Sequence, residues 1–343
     1  MSEKPPKFNV LCPLFLLTQM KPLVSVIIPT YNYARYICDA IDSILNSSFP
    51  NDQIEIIIVD DGSSDDTSEV IQKYGDRITY LYQENSGKAH ATQVAIDLTT
   101  GKYIFNLDAD DWFLPEKIQT VVDIFEADPE ITHVGHPATY FNVDKNEESL
   151  EAIPAEFLGK KIHGKVLLSD FYRKGVSGGA GSTFATRAET LKKHRIPQAV
   201  DMYIDEYMFL AVVNEGYSFF VEKPLSVWRI HGNNFTYNDP SAYLEKIKRN
   251  LRSIEAVFQN LPSLGIDNSI QYIYQVKTLS VELAFKEQSK EKTLTDVMFL
   301  WSSVFSGFSI FGLEVFDIAK QYYVFNRSLP TSLISTLRKY RRA

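Results

Sequence analysis

The chain predicts an α/β protein: a mainly parallel central sheet flanked by helices, followed by a helical C-terminal region. Three observations carry this. Strand-like and helix-like segments alternate from residue 21 to 111, polar clusters close each strand-like run, and the pattern becomes purely helical beyond residue 241.

Val24-Ser25-Val26-Ile27-Ile28 is a β-branched run closed by Pro29, as expected for a buried strand entering a loop. Ile37, Ala40, Ile41, Ile44 and Leu45 then recur at helical spacing. Ile54 to Val59 reads as a second buried strand, with Asp60-Asp61-Gly62-Ser63 as its turn. Asp66 with Glu69 three residues on predicts a capping box, and Gly75 a stop for that helix. Ile78 to Tyr82 predicts strand three and Asn85-Ser86-Gly87 a turn; Ala89 to Thr99 predicts a helix ended by Gly101, and Tyr103 to Leu107 strand four. Strands joined by crossovers of this length imply a parallel sheet covered on both faces.

Pro115 predicts the first position of a helix running to Asp128. Between residues 130 and 235 the pattern is mixed: short strands at Thr132 to Gly135 and Tyr217 to Val221, a Gly/Ser-rich loop from Ser177 to Ser182, and a helix from Ile204 to Asn214. Leu244, Ile247, Leu251, Ile254, Phe258 and Leu261 then form a narrow apolar seam on one helix, open to internal packing or to pairing with a second chain. The expected organisation is an N-terminal arm over residues 1–20, an α/β domain over 21–235 and a helical region over 236–343.

Composition narrows the function classes. The 343 residues are 45% apolar and 23% charged, enough to bury a core, which excludes disorder and small disulfide scaffolds. A net charge of −8 supplies no broad cationic field, so nucleic acid is not an expected partner. Cys12 and Cys38 lack zinc-site spacing and fit a reducing compartment. The run from Val10 to Leu17 is broken by Pro13 and does not read as a secretory signal, so a cytoplasmic setting is expected.

The polar clusters fall where an open parallel sheet binds ligands, beyond the carboxyl ends of its strands. Asp108, Asp110 and Asp111 crowd one such end, where mutual repulsion favours a compensating cation. Hard oxygen ligands suit Mg²⁺ or Mn²⁺ shared with substrate phosphates. Alone, Asp-x-Asp is also a common solvated turn, and Asp60-Asp61-Gly62-Ser63 reads equally as a plain turn or as a carboxylate facing a nucleobase or ribose.

Taken in order, Pro29-Thr30-Tyr31-Asn32, Asp60-Asp61-Gly62-Ser63, Asn85-Ser86-Gly87 and Leu107-Asp108-Ala109-Asp110-Asp111 resemble the family 2 inverting glycosyltransferases over residues 21 to 235. The resemblance implies a GT-A fold, a nucleotide-sugar donor (usually a UDP sugar), and a divalent cation, Mn²⁺ or Mg²⁺. It places Pro29, Thr30, Tyr31 and Asp61 around the nucleoside, Asp108 near the ribose, and Asn32, Asn85, Lys88 and Ala109 along the donor. Asp110 is implied at the metal. The acidic motif opening a later helix matches Tyr203-Ile204-Asp205-Glu206, which makes Asp205 the implied base with Glu206 as rival. Trp228-Arg229-Ile230-His231 resembles the Arg-x-His element, which implies Arg229 and His231 near the diphosphate or metal. Thr92-Gln93 departs from the Arg-Asn pair frequent there.

The expected activity is transfer of a sugar, with inversion, to a glycan or lipid-linked acceptor in polysaccharide or glycoconjugate synthesis. Two rivals stay open: a nucleotide-sugar synthase, which would want a glycine-rich basic loop after strand one, and a non-catalytic nucleotide-sugar scaffold. An oxidoreductase would need GxGxxG in that place, and it is absent. Val297 to Leu313 is uncharged and aromatic-rich but shorter than a bilayer span. With the basic stretch Arg338-Lys339-Tyr340-Arg341-Arg342 behind it, it reads either as a helix on an anionic membrane surface or as a helix packed on the catalytic domain.

Overall fold

The computed structural model describes residues 21–174, 179–232, 243–322 and 324. The expected N-terminal arm, part of the Gly/Ser-rich loop and the basic C-terminal stretch lie outside these residues.

The first half runs β1 (Val24–Thr30), α1 (Ile37–Leu45), β2 (Ile54–Asp60), α2 (Thr67–Val70), β3 (Thr79–Tyr82), α3 (Lys88–Leu98), β4 (Tyr103–Asn106), β5 (Trp112–Phe113) and α4 (Lys117–Ala127). There follow β6 (Ile131–Gly135), β7 (Ala138–Asn142), β8 (Glu147–Leu150), β9 (Lys161–His163), α5 (Gly164–Lys174), β10 (Ala185–Arg187), α6 (Ala188–Leu191), α7 (Ile204–Val213), β11 (Tyr217–Phe220) and β12 (Ser226–Ile230). The C-terminal helices are α8 (Tyr243–Asn260), α9 (Asn268–Gln288), α10 (Leu294–Ser306), α11 (Phe308–Phe311) and α12 (Val315–Gln321).

The main sheet has eight strands in the order β3-β2-β1-β4-β10-β6-β11-β9. Its β3-β2-β1-β4 portion is parallel, as expected from the crossovers. β10 then enters antiparallel between β4 and β6, and a second sheet, β5-β12-β7-β8, forms beside it. Sequence periodicity signalled neither, because these strands are two to five residues long.

The strand alternation sorts side chains onto two faces. Val26, Ile28, Ile56, Ile58 and Phe105 join one apolar cluster, with Ile41 of α1 and Val121 of α4. Ile27, Ile57, Val59 and Ile104 point the other way, into a cluster with Ala95 of α3, Leu210 of α7, Ile254 of α8, Ile273 of α9 and Val304 of α10. Each such fully buried aliphatic contributes about 1.5–3 kcal/mol. The C-terminal helices thus share the core on the α3 side of the sheet.

Four expectations need correcting. β1 continues through Pro29 to Thr30. Alternate residues of β1 bond to β4, and that ladder ends at Ile27, so the missing N–H of Pro29 falls where no partner waits. The expected capping box fails: Asp65, not Asp66, accepts from the Thr67 amide at 3.1 Å, and only one α-turn follows before 3₁₀ backbone. Pro115 lies two residues ahead of α4 rather than at its first position. The 17-residue apolar stretch belongs to a longer helical run, Leu294–Lys320, long and apolar enough by composition to cross a membrane, and a third of its most apolar 18 residues is buried.

Candidate active site

The carboxyl ends of β1, β2 and β4, the first turns of α3 and α7, and residues of α8 and α9 line one cleft of about 2210 Å³. Pro29, Thr30, Tyr31, Asn32, Asp61, Asn85, Lys88, Asp108, Ala109, Asp110, Asp205 and Arg229 all line it. His231 stands directly behind Asp110.

The loops after β1 and β2 are locked together. The Asn32 amide donates to Ser63 Oγ at 2.8 Å, and Asn32 Oδ1 accepts from the Ser64 amide at 2.8 Å. This explains its left-handed backbone, φ 59°, which Asn tolerates better than most residues. Asp60 accepts from the Ser63 amide and the Tyr80 hydroxyl, both at 2.8 Å. Asp61 accepts from Gln83 Nε2 at 2.7 Å and from the Ser86 and Gly87 amides at 2.8 Å. A carboxylate has about four acceptor sites, so Asp61 spends most of its capacity shaping the Asn85-Ser86-Gly87 turn. Gly62, at φ +83°, lets that turn close: a Cβ would meet the Asn85 nitrogen at 2.8 Å.

Lys88, opening α3, ties the next layer together. Its Nζ donates to Asp108 Oδ1 at 2.9 Å and lies 3.8 Å from Asp205 Oδ2. Burial would lower the ammonium pKa, but Asp108 and then Asp205 outweigh it, and the pKa is raised. Gly181, at φ +55°, fronts the same volume: a Cβ there would sit 3.7 Å from Asp205 Oδ2 and 3.8 Å from Asp108 Oδ2. Asp108 and Asp205 therefore face one space from opposite walls, 97 positions apart in the chain.

Asp110 and His231 form a buried pair, Oδ2 to Nε2 3.2 Å, with the imidazole packed on Tyr36 at a centroid distance of 4.6 Å. Burial, then Asp108, push the Asp110 carboxyl upward. Asp111 is pushed up more strongly, by burial and then Asp110, but it is a structural member: it accepts from Ser182 Oγ at 2.5 Å and the Arg229 amide at 2.9 Å. The Arg229 guanidinium lies over Tyr36 at 4.5 Å and Trp112 at 4.7 Å and donates to Asp39 at 2.8 Å.

Among the described residues, no three His, Cys, Asp or Glu side chains converge to hold a metal by themselves. Asp110 and His231 fit the kind of site in which protein supplies one or two ligands and substrate phosphate and water the rest. Burial and the neighbouring Asp108, which raise the Asp110 pKa, are the unfavourable terms that a bound cation would offset.

The two acidic residues opening α7 differ sharply. Asp205 Oδ1 is buried with no hydrogen-bond partner among the described residues. Burial raises the Asp205 pKa, Lys88 lowers it, and the net shift is upward. Glu206 accepts from Tyr172 at 2.9 Å and Tyr274 at 2.5 Å, with both oxygens 3.1 Å from Lys277 Nζ. Burial would raise it, but Lys277 and then the hydroxyls prevail and its pKa is lowered.

Several supporting residues escaped the sequence reading. Lys117 is buried, donating to the Ser182 carbonyl at 2.5 Å and to Ser226 Oγ at 2.9 Å, and so pins the loop carrying Gly181 to β12. Burial drives its pKa well down. Arg249 of α8 pairs with Asp201, and Arg252, Lys277 and Tyr322 also line the cleft. The only signal for the Gly181 loop was its glycine content. Thr92 and Gln93, where an Arg-Asn pair is frequent in the resembling family, face inward: Thr92 Oγ1 donates to the Lys88 carbonyl and Gln93 Oε1 accepts the Ile196 amide at 2.7 Å.

The family model described as Glycosyl transferase family 2 matches residues 25–195. An uncharacterised glycosyltransferase of Nostoc sp. is 30% identical over 244 residues, 69% of this chain and 73% of the relative. An uncharacterised glycosyltransferase of Rickettsia prowazekii is 48% identical over 103 residues, 30% of this chain and 32% of the relative. The chain spans about a third of the length of the first such curated relatives. Among solved structures, S. aureus TarS superposes with a TM-score of 0.58 at 17% identity, over 90% of this chain and 53% of TarS. The mannosyltransferase PcManGT of Pyrobaculum calidifontis, in complex with GDP-Man and Mn²⁺, gives 0.51 at 18% identity, over 90% of this chain and 86% of that one. The shared fold is the GT-A type. With strand-end clusters, sheet order and sequence match in agreement, the chain belongs to glycosyl transferase family 2.

Proposed function

We propose that this protein transfers a sugar from a nucleotide donor, with inversion, to a hydroxyl of a glycan or lipid-linked acceptor. One observation carries the reading: Asp205 turns its Oδ2 to the space it shares with Asp108 in front of Gly181, in the same cleft that Asp110 lines with His231 behind it. TarS has been crystallised with UDP-GlcNAc and PcManGT with GDP-Man and Mn²⁺, which supports a nucleotide-sugar donor, here taken as a UDP sugar, and a divalent cation.

In this reading Pro29, Thr30, Tyr31 and Asp61 hold the nucleoside, with Asn32 and Asn85 shaping the loops around it. Asp108 takes the ribose. Asp110 and His231 would hold the cation, which, when bound, neutralises diphosphate charge. Asp205 accepts the acceptor's proton as the acceptor oxygen bonds to the anomeric carbon. The bond from that carbon to the diphosphate oxygen breaks, and its electron pair leaves with the diphosphate. Lys88, between Asp108 and Asp205, adds fixed positive charge on the donor side. The hydrogen bonds of Glu206 to Tyr172 and Tyr274 and its pairing with Lys277 favour Asp205 over Glu206 for this role. A donor made from nucleoside triphosphates is consistent with a cytoplasmic reaction feeding polysaccharide or glycoconjugate synthesis.

The test is Asp205→Asn assayed for both steps. UDP binding in Mn²⁺ is retained and transfer or slow donor hydrolysis falls by roughly 10²–10⁴-fold; unchanged turnover would remove the base assignment. Thermal shifts across a nucleotide-sugar panel, with and without Mn²⁺, identify the donor.

A further inference from the structure

The helical run after α9 carries large apolar side chains on its exposed face as well as on its buried one. One is pinned to the core. Leu300, Val304, Val315, Ile318 and Ala319 are buried, and the Tyr272 hydroxyl donates to the Val304 carbonyl at 2.7 Å. The start of α10 is fixed by a capping box between Thr293 and Asp296, with Lys286 donating to Asp296 at 2.8 Å. The other face is left in water. Leu313 is 76% exposed, Leu294 75%, Met298 64% and Phe299 59%. Beside them Phe305, Phe308 and Phe316 form an exposed aromatic cluster, with ring centroids 5.8–6.2 Å apart. Of the large apolar side chains exposed among the described residues, nearly half lie in this one segment. A concentration of this kind marks an interaction surface.

We propose that this face docks on an anionic lipid bilayer, lying in the interface rather than crossing it. Spanning would strip Val304 and Val315 from the core, and the run is interrupted at Gly312, whose φ of +55° breaks the helix. The charge distribution selects the partner. From Asp317 onward the sequence carries six basic residues and one acid, within a chain whose net charge is −8. Aromatic side chains at headgroup depth with adjacent Lys/Arg are the two signals that together give stable interfacial binding. Tyr322, just beyond the end of this helical run, lines the cleft. The contact itself does not depend on the transfer chemistry.

The experiment is co-sedimentation of the full chain with vesicles of phosphatidylcholine alone or mixed with phosphatidylglycerol. Two variants accompany it: Met298→Ser/Phe299→Ser/Leu313→Ser, which touches no buried side chain, and Arg338→Ser/Lys339→Ser/Arg341→Ser/Arg342→Ser. Thermal melts confirm that each variant folds. Partitioning is expected to tighten at least roughly tenfold with phosphatidylglycerol. The first variant loses binding to both vesicle types, and the second loses only the anionic preference. Three results would overturn the proposal: wild-type sedimentation by the first variant; no vesicle binding, with a concentration-dependent dimer that the first variant dissolves; or binding seen only after removal of residues 325–343, which would make that segment the cover of the face.

Discussion

At the scale of single residues the cleft is built by neutralising carboxylates selectively. Asp60, Asp61 and Asp111 are committed to backbone amides and hydroxyls, Glu206 to a lysine and two tyrosines, and Asp205 turns Oδ2 to the space beside Asp108. Removing the carboxylate from Asp110→Ala is expected to abolish the Mn²⁺-dependent part of UDP binding, read by calorimetry with and without the ion. Gly181→Val places a side chain between Asp205 and Asp108 and forces it into left-handed backbone, at a strain of about 1–2 kcal/mol; donor turnover is lost, while the melting temperature drops only modestly. His133 gives a pH signature. It is buried, with ring nitrogens on Ser218 at 2.5 Å and the Gly179 carbonyl at 2.7 Å, and burial lowers its pKa from 6.5 to about 4. Between those values the unfolded chain binds a proton that the native state refuses, so this contribution to stability falls as the pH drops, by about 1.4 kcal/mol per unit. His133→Gln should flatten the dependence of unfolding free energy on pH between 6.5 and 4; an unchanged slope would contradict a neutral buried imidazole. His136, also lowered by burial, adds a slope of the same sign that the variant leaves in place.

At the scale of elements the notable joint is between α7 and α9. Glu206 sits one residue from Asp205, and its partners come from α5 (Tyr172) and α9 (Tyr274, Lys277). A helix outside the expected catalytic domain therefore clamps the turn that presents Asp205. Lys277→Met leaves a partly buried carboxylate without its cation, a loss of about 1–3 kcal/mol; Glu206→Gln with Lys277→Met should recover part of it in denaturant titrations, and no recovery would mean that the pair is not coupled. The seam of α8 follows the internal reading: Ile247, Ile254 and Leu261 are buried, and α8 packs on α9.

For the molecule as a whole, one apolar cluster runs from Ile27 in β1 to Val324 beyond α12. Ending the chain after Gly232 would expose the α3 face of that core, and such a truncation should lose its cooperative unfolding transition; a truncated protein that melts sharply would show that residues 24–232 hold a core of their own.

Local patterning was sufficient to reveal β1, β2, β4 and α7 within a few residues, because buried β-branched runs and helical periodicity are properties of contiguous sequence. It also revealed that polar clusters close the strands, which is where the cleft lies. The short strands β5, β9 and β10 were invisible, since two or three residues carry no period, and their pairing is decided by partners far along the chain. The division of labour among the acids was likewise out of reach. Asp205 and Glu206 are neighbours with nearly the same chemistry, and only the approach of Tyr172, Tyr274 and Lys277 from 34 to 71 positions away separates them. Which residues are acidic is written in the chain; which of them is clamped by other side chains and which faces the space beside Asp108 is set by packing between segments that meet only in the folded protein.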